Sequence, residues 1–145
     1  NGATYDRLAT GSSANLTAAT QRGLMTTRPG DWSVYHDPAV GVLATVTKAA
    51  GGAGVRHVCT SISSKLIVIF AAGGIFKMYL RDGASGVGPI LWASGAFESA
   101  AQVERLAFSG LNIIGSPNTA MTFEFSAAPN AANYEVVSMT GYDII

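Results

Sequence analysis

A histidine and a cysteine close together in the chain are the residues with the clearest potential for metal chemistry. His57 and Cys59 lie two positions apart, so on a β-strand both side chains would point to the same face. Imidazole and thiolate bind zinc, but a closed structural site needs four such ligands. The chain has one cysteine and two histidines, the second being His36. We therefore predict a small buried hydrophobe at Cys59 and no metal.

Motifs of nucleophilic catalysis and phosphate binding are missing from the sequence. Residues 83–87 begin like the Gly-x-Ser-x-Gly motif of hydrolases, but Val87 stands where the motif needs its last glycine. Neither the dinucleotide-binding nor the phosphate-binding glycine motif occurs. The glycine-rich segment 51–54 joins two strand candidates and predicts a hairpin turn. We expect the protein to be no enzyme and to use no cofactor.

The glutamates are the remaining candidates for acid–base catalysis. They are Glu98, Glu104, Glu124 and Glu135. Most of them fall at outward-facing strand positions, where a solvated charge is the ordinary interpretation. Nothing in the sequence brings two of them to the separation of about 5–9.5 Å that glycosidases use. We therefore expect surface carboxylates rather than a catalytic pair.

The charge of the chain is unusually low. Charged residues make up 12% of the sequence, with nine Lys+Arg against nine Asp+Glu, whereas soluble domains carry about 25%. This balance lacks the clustered cations of a nucleic-acid binder, and the longest apolar run, residues 66–72, is too short to span a membrane. A small neutral protein tends to self-associate. We expect other protein chains to cover much of its surface, with no nucleic acid and no membrane as partner.

Short runs of alternating apolar and polar residues dominate the sequence from residue 31 onward. The clearest run alternates Met121, Phe123 and Phe125 with polar residues, a period typical of a half-buried strand. Glycine, proline and asparagine separate about eight such runs, spaced about 8–12 residues apart, which indicates a sandwich or a barrel. We predict an all-β, jelly-roll-like β-sandwich of about eight strands over residues 31–145.

Two alternatives remain open for this domain. An immunoglobulin-like sandwich has a similar strand count, although the single Cys59 cannot provide its paired-cysteine signal. A helix over residues 97–106 would interrupt the all-β pattern. In the jelly-roll interpretation, the predicted core consists of Val34, Val46, Ile62, Ile67, Phe76, Met78, Leu80, Trp92, Leu106, Met121, Phe123, Phe125 and Val136.

The first thirty residues differ in character from the rest. Residues 1–30 are polar, small and weakly periodic, with one aromatic residue, Tyr5. They predict an extended N-terminal arm, which would reach roughly 100 Å when fully stretched. A floppy terminus is the alternative. Because Leu8, Leu16 and Leu24 are too scattered to form a core face, we expect them, with Tyr5, to contact a partner.

Aromatic residues of the domain complete the predicted interface. They are Tyr79, Trp92, Phe97 and Tyr142. Aromatic side chains supply large and rigid contact areas at protein interfaces. A position in the hydrophobic core is the alternative for each of them.

Several stretches of the domain resemble small virion proteins of tailed bacteriophages. They are residues 49–57 (AAGGAGVRH), 80–86 (LRDGASG), 109–115 (SGLNIIG) and 140–143 (TGYD). The proteins they resemble are capsid decoration, or cement, proteins with a jelly-roll fold. The resemblance covers the domain from Trp32 to Tyr142 and consists of turn and strand sequences, so it brings no catalytic residues with it.

This resemblance implies a structural protein of the virion. We expect dimers or trimers on the capsid surface that bridge neighbouring major capsid proteins, after assembly in the host cytoplasm. The alternative is a receptor- or glycan-binding module of a tail or head fibre, because lectins also use jelly rolls. In that case Trp92, with polar loops nearby, would be the aromatic residue of the glycan site.

Overall fold

The computed structural model describes residues 30–69, 74–98 and 102–145, with the backbone alone at 74 and 96–98. These residues contain strands and turns and no helix, which confirms the all-β prediction. The alternative was a helix over 97–106, but the described residues of this range, 97–98 and 102–106, belong to strands. The strands are β1 (Trp32–His36), β2 (Thr45–Lys48), β3 (Arg56–Val68), β4 (Gly74–Asp82), β5 (Ile90–Glu98), β6 (Gln102–Ile114), β7 (Met121–Phe125) and β8 (Tyr134–Ile144).

The strands form two four-stranded antiparallel sheets. Sheet A has the order β1-β8-β3-β6 and sheet B the order β2-β7-β4-β5. The chain passes repeatedly from one sheet to the other, and β4–β5 is the consecutive pair that hydrogen-bonds within one sheet. This interleaved order of two four-stranded sheets is that of a jelly roll. The predicted fold is therefore confirmed.

The glycine-rich segment 51–54 is not the hairpin turn that the sequence predicted. It leads from β2 in sheet B to β3 in sheet A, since β2 pairs with β7 and β3 pairs with β6 and β8. Gly52 and Gly54 have φ values of 98° and 81°, a region that glycine adopts without the strain of a side chain. The side-chain oxygen of Asn118 accepts a hydrogen bond of 2.6 Å from the Gly54 amide and holds this crossing in place.

The hydrophobic core lies between the two sheets. The predicted core residues that are buried are Val46, Ile62, Met78, Leu80, Met121, Phe123 and Phe125. The predicted residues that are partly buried and pack against this core are Val34, Phe76, Trp92 and Leu106. The period-2 pattern therefore identified the inward face of most strands.

Two predicted core residues point the other way. In β3 the buried residues include Leu66 and Val68, so Ile67 lies on the outer face. In β8 Val137 is buried, and Val136 next to it is not. Both strands have apolar residues on both faces, so alternation alone could not decide which face points to the core. A shift of one residue in the assignment exchanges the two faces.

The described sandwich is one unit of the chain. The chain divides into Asn1–Asp31 and Trp32–Ile145. The predicted contacts Tyr5, Leu8, Leu16 and Leu24 lie outside the described residues, so the arm stays a prediction. Among the residues that the structure describes, no helix has the length and hydropathy needed to span a membrane.

Candidate functional site

The outer surface of sheet A is broad and almost uncharged. We call it the A face and define it by the outward side chains of β1, of β3 from Ser61 to Ile67, and of the β6 and β8 residues paired with that part of β3. Lys65 and Arg105 are its two charged members; Arg56, exposed at the start of β3, lies beyond it. The strands β3, β6 and β8 that carry most of it are 13, 13 and 11 residues long. The A face consists of Ser33, Tyr35, Ser61, Ser63, Lys65, Ile67, Val103, Arg105, Ala107, Ser109, Tyr134, Val136, Ser138 and Thr140.

Hydroxyl groups on the A face are paired across neighbouring strands. The hydroxyls of Ser63 and Ser138 lie 2.7 Å apart, and those of Ser61 and Thr140 lie 2.5 Å apart. These pairs link β3 to β8 in register. Because these hydroxyls already bond to each other, covering them with another protein costs less than burying unbonded polar groups. The centre of the A face is thus polar in composition yet suited to burial.

A shallow depression lies on the A face beside these hydroxyl pairs. It has a volume of about 400 Å³, and its outward lining is formed by Ser63, Lys65, Arg105, Ala107 and Val136. It is open to solvent and lies between β3, β6 and β8. A side chain from a partner could enter it, whereas an enclosed small-molecule pocket would require more depth.

The outer surface of sheet B carries Tyr79. As the alternation predicted, Met78 and Leu80 are buried while Tyr79 points outward. A second depression, of about 360 Å³, is lined by Ile75, Lys77, Tyr79, Ala93, Ser94 and Gly95. Ala93 stands opposite Tyr79 in the register, so a residue with a small side chain lies beside the ring.

Glu124 is buried, which corrects the prediction of a solvated carboxylate. Its exposed fraction is 3%, although it lies on the outer side of sheet B. The loop 83–88 folds over this part of the sheet and supplies two donors: the Ser85 hydroxyl donates to Oε2 and the Gly86 amide donates to Oε1 at 3.1 Å. The Nε of Arg81 donates to Oε1 at 2.5 Å. The carboxylate therefore anchors the loop.

The protonation of Glu124 follows from two opposing effects. Burial by itself would raise the pKa of this carboxyl group. Hydrogen bonds from Ser85, Arg81 and Gly86, together with the positive charge of Arg81, outweigh burial and hold the pKa of Glu124 below its usual value. Glu124 is thus ionised at neutral pH, which a structural ion pair requires. A general acid would instead have to be protonated at that pH.

Glu135 is the second glutamate that the structure buries. Its exposed fraction is 0%, and its Oε2 accepts a hydrogen bond of 3.0 Å from the backbone amide of Ala44. Ala44 precedes β2 of sheet B, while Glu135 lies in β8 of sheet A. This carboxylate therefore ties the two sheets together, which is again a structural role.

His57 uses both ring nitrogens within the fold. Its Nδ1 lies 2.7 Å from Oδ1 of Asp143, and its Nε2 lies 2.8 Å from the carbonyl oxygen of Ala49. A carboxylate and a carbonyl both accept hydrogen bonds, so each ring nitrogen faces an acceptor. Lys48 adds a further contact, with its Nζ 3.6 Å from Oδ2 of Asp143. The ring is therefore committed to internal bonds.

Cys59 is a core residue, as the sequence predicted. Its exposed fraction is 0%, and burial raises the pKa of its thiol to about 12. Thiolate is the form that attacks and binds metals, so this side chain is unsuited to both. Within residues 30–69, 74–98 and 102–145 no group of three or more His, Cys, Asp or Glu is placed to hold a metal ion.

The structure separates the aromatic residues that the sequence proposed as an interface. Trp92 is partly buried against the core, with ring centroids 5.0 Å from Phe108 and 6.2 Å from Phe123. Trp92 therefore fits the alternative that the sequence left open, a position against the hydrophobic core. Phe97 lies in β5 opposite Ile75, and its side chain is outside the described part.

The other two members of that set are placed differently. Tyr79 lines the outer depression of sheet B. Tyr142 is half-buried in β8, opposite Val58 of β3. The set therefore does not form one surface, and its role as an interface stays a prediction. In β8 the sequence placed Val136 in the core, whereas the structure places it on the A face.

Comparisons with known proteins add little beyond the fold. No protein-family model and no curated protein matches the chain. Several solved structures match, and two of them are similar over most of the chain. One, described as "CBM4 structure and function", has 8% identity and a TM-score of 0.36, covering 77% of this chain and 71% of its own. The other, from pili of Bacillus endospore appendages, has 10% identity and a TM-score of 0.32, covering 79% and 88%. Similarity this low supports no functional argument.

Proposed function

We propose that this chain is a non-enzymatic structural protein of a tailed-phage virion, which decorates the capsid and bridges neighbouring major capsid proteins. The observation that carries the proposal is the A face, with two charged side chains on a surface that spans four strands. The sequence resemblance supports the choice of a virion, because fold alone does not define function.

Burial of the A face by a partner would be energetically favourable. Ile67, Val103 and Val136 would leave water when a partner covers them, at about 25 cal/mol for each Å² of apolar surface. The central hydroxyls are already bonded to one another. Covering this surface therefore removes the apolar area of these three residues from water, while the central hydroxyls keep their hydrogen bonds to one another.

Stabilisation of the shell would follow from mass action. A protein that binds the assembled shell more tightly than free capsid protein shifts the equilibrium toward assembly. Many copies on one lattice add avidity when the copies are linked as dimers or trimers. The predicted arm, residues 1–30, would extend this contact to a neighbouring subunit.

Electron microscopy of purified virions tests this proposal directly. We expect density for the sandwich on the outer capsid surface, and capsids without the protein should release DNA at a lower temperature. Deletion of residues 1–30 should lower both occupancy and heat resistance if the arm contributes. Absence of the protein from the particles, or density on the tail alone, would contradict the proposal.

A glycan- or receptor-binding module is the second candidate function. The observation that favours it is Tyr79, which borders the depression on sheet B beside Ser94 and Lys77. We transfer this candidate from Trp92 to Tyr79, because Trp92 is partly buried against the core. A glycan array would show a saturable signal that Tyr79→Ala abolishes. Tyr35→Ala, on the opposite sheet, is the matched control and should leave the signal unchanged.

A further inference from the structure

Two cations stand directly opposite each other on the A face. Lys65 of β3 pairs in register with Arg105 of β6, and both line the same depression. Like charges in directly opposed cross-strand positions destabilise a sheet. Within the described residues, the ion pairs involve Lys48, His57 and Arg81, and none involves either of these two cations.

The nearest glutamates along these strands point away from the cations. Glu104 precedes Arg105 and pairs in register with the buried Leu66, so it lies on the inward side of β6. Glu135 of β8 is buried between the sheets. The A face therefore presents two adjacent positive charges and no carboxylate of its own among its defining residues.

We infer that the A face binds an acidic protein surface, and that a partner carboxylate enters the depression between Lys65 and Arg105. The inference deepens the proposed function and rests on it for the location of the partner. An arginine binds a carboxylate through two parallel hydrogen bonds, and the lysine adds a point charge beside it. The partner's carboxylate also removes the repulsion between the two cations.

The same charges disfavour a second copy of this chain on this face. In a two-fold symmetric dimer the same patch lies on both sides of the interface. None of the defining residues of the A face is a carboxylate, so Lys65 and Arg105 would find no opposite charge among them across a symmetric A-face contact. We therefore expect a two-fold dimer to use another surface, which leaves the A face for a different protein.

The apolar residues around the cations favour a protein over an anionic glycan. Ile67 and Val103 are paired in register next to Lys65 and Arg105, and Val103 is 52% exposed. Val136 borders the depression on the side of β8. Aliphatic groups gain by burial against apolar side chains, whereas a sulfated or carboxylated sugar offers mainly hydroxyls and charges.

A peptide titration tests the inference with the isolated 145-residue chain. The probe is blocked hexaglutamate, followed by nuclear magnetic resonance of the ¹⁵N-labelled protein at low salt. We expect amide shifts centred on β3 and β6, with an affinity that falls as salt is added. The double variant Lys65→Gln/Arg105→Gln should weaken binding about tenfold or more. The control Lys77→Gln, a cation on sheet B, should leave the affinity within twofold.

The remaining arms of the experiment decide between partners. Hexaglutamine should not bind. A sulfated oligosaccharide that bound more tightly than hexaglutamate, and through the same two cations, would overturn the assignment to a protein partner. Absence of hexaglutamate binding, or unchanged binding by the double variant, would overturn the site. Thermal unfolding verifies folding, and Lys65→Gln should raise the melting temperature because a repulsion is removed.

Failure of this inference can be told apart from failure of the proposed function. Virions that carry the double variant at full occupancy would overturn the carboxylate site and leave the capsid role intact. Hexaglutamate binding through Lys65 and Arg105, in a protein that is absent from virions, would support the site and contradict the capsid role.

Discussion

Arg81 and Glu124 form an ion pair on the outer side of sheet B, with Nε and Oε1 2.5 Å apart. The pair connects β4 with β7, and Nη1 of Arg81 also donates to the carbonyl oxygen of Gly88 at 3.0 Å. Both residues therefore hold the loop 83–88 against the sheet. Buried pairs contribute little net stability compared with apolar replacements, but removing one partner is costly.

Glu124→Gln tests the structural role of this pair. The amide keeps the shape of the carboxylate but removes its charge, so Arg81 loses its charged partner. We expect the free energy of unfolding to fall by about 2–4 kcal/mol, measured by urea denaturation. Asp37→Asn, at an exposed carboxylate, is the control and should change stability by less than about 0.5 kcal/mol. Equal effects of the two substitutions would contradict the anchoring role.

The pH dependence of stability should reveal the same carboxylate. The pKa of Glu124 is lowered in the folded protein. Its contribution is therefore complete above the unfolded-state pKa, near about 4.3, and is lost as pH falls through the lower folded-state value. The stability difference between the wild type and Glu124→Gln should shrink from pH 6 to pH 3. A difference that stays constant over this range would show that the charge is not responsible.

Neighbouring valines of β8 test the assignment of its two faces. Val137 is fully buried, whereas Val136 borders the depression on the A face. Val137→Ala removes buried methyl groups and should cost about 2 kcal/mol or more. Val136→Ala should cost less than about 1 kcal/mol. Thermal and urea unfolding of both variants would measure this, and the reverse order would mean that the register of β8 is wrong.

Cys59 should be unreactive in the folded protein. With the pKa of its thiol raised to about 12, the thiolate fraction at pH 8 is on the order of 10⁻⁴, and burial also excludes the reagent. Ellman's reagent should therefore modify the native protein very slowly, and the urea-unfolded chain rapidly. Rapid stoichiometric modification under native conditions would place this thiol at the surface.

The local alternation of apolar and polar residues was sufficient to predict the strands and most of the core. The run with Met121, Phe123 and Phe125 predicts one inward face, and all three residues are buried. The same pattern failed where it was ambiguous: Ile67 and Val136 have apolar neighbours on both sides. Glycines indicated where strands end, but not whether the chain pairs with the previous strand, so segment 51–54 was mistaken for a hairpin.

The amino-acid sequence by itself determined that the domain is an all-β sandwich with few charges, because period-2 patterns and turn residues are local. The tertiary structure alone decided which charges meet. Arg81 and Glu124 are 43 positions apart, and His57 and Asp143 are 86 apart. Strand order and register bring such residues together, and a local pattern carries no information about either. The same holds for Lys65 and Arg105, whose opposition exists only through the pairing of β3 with β6.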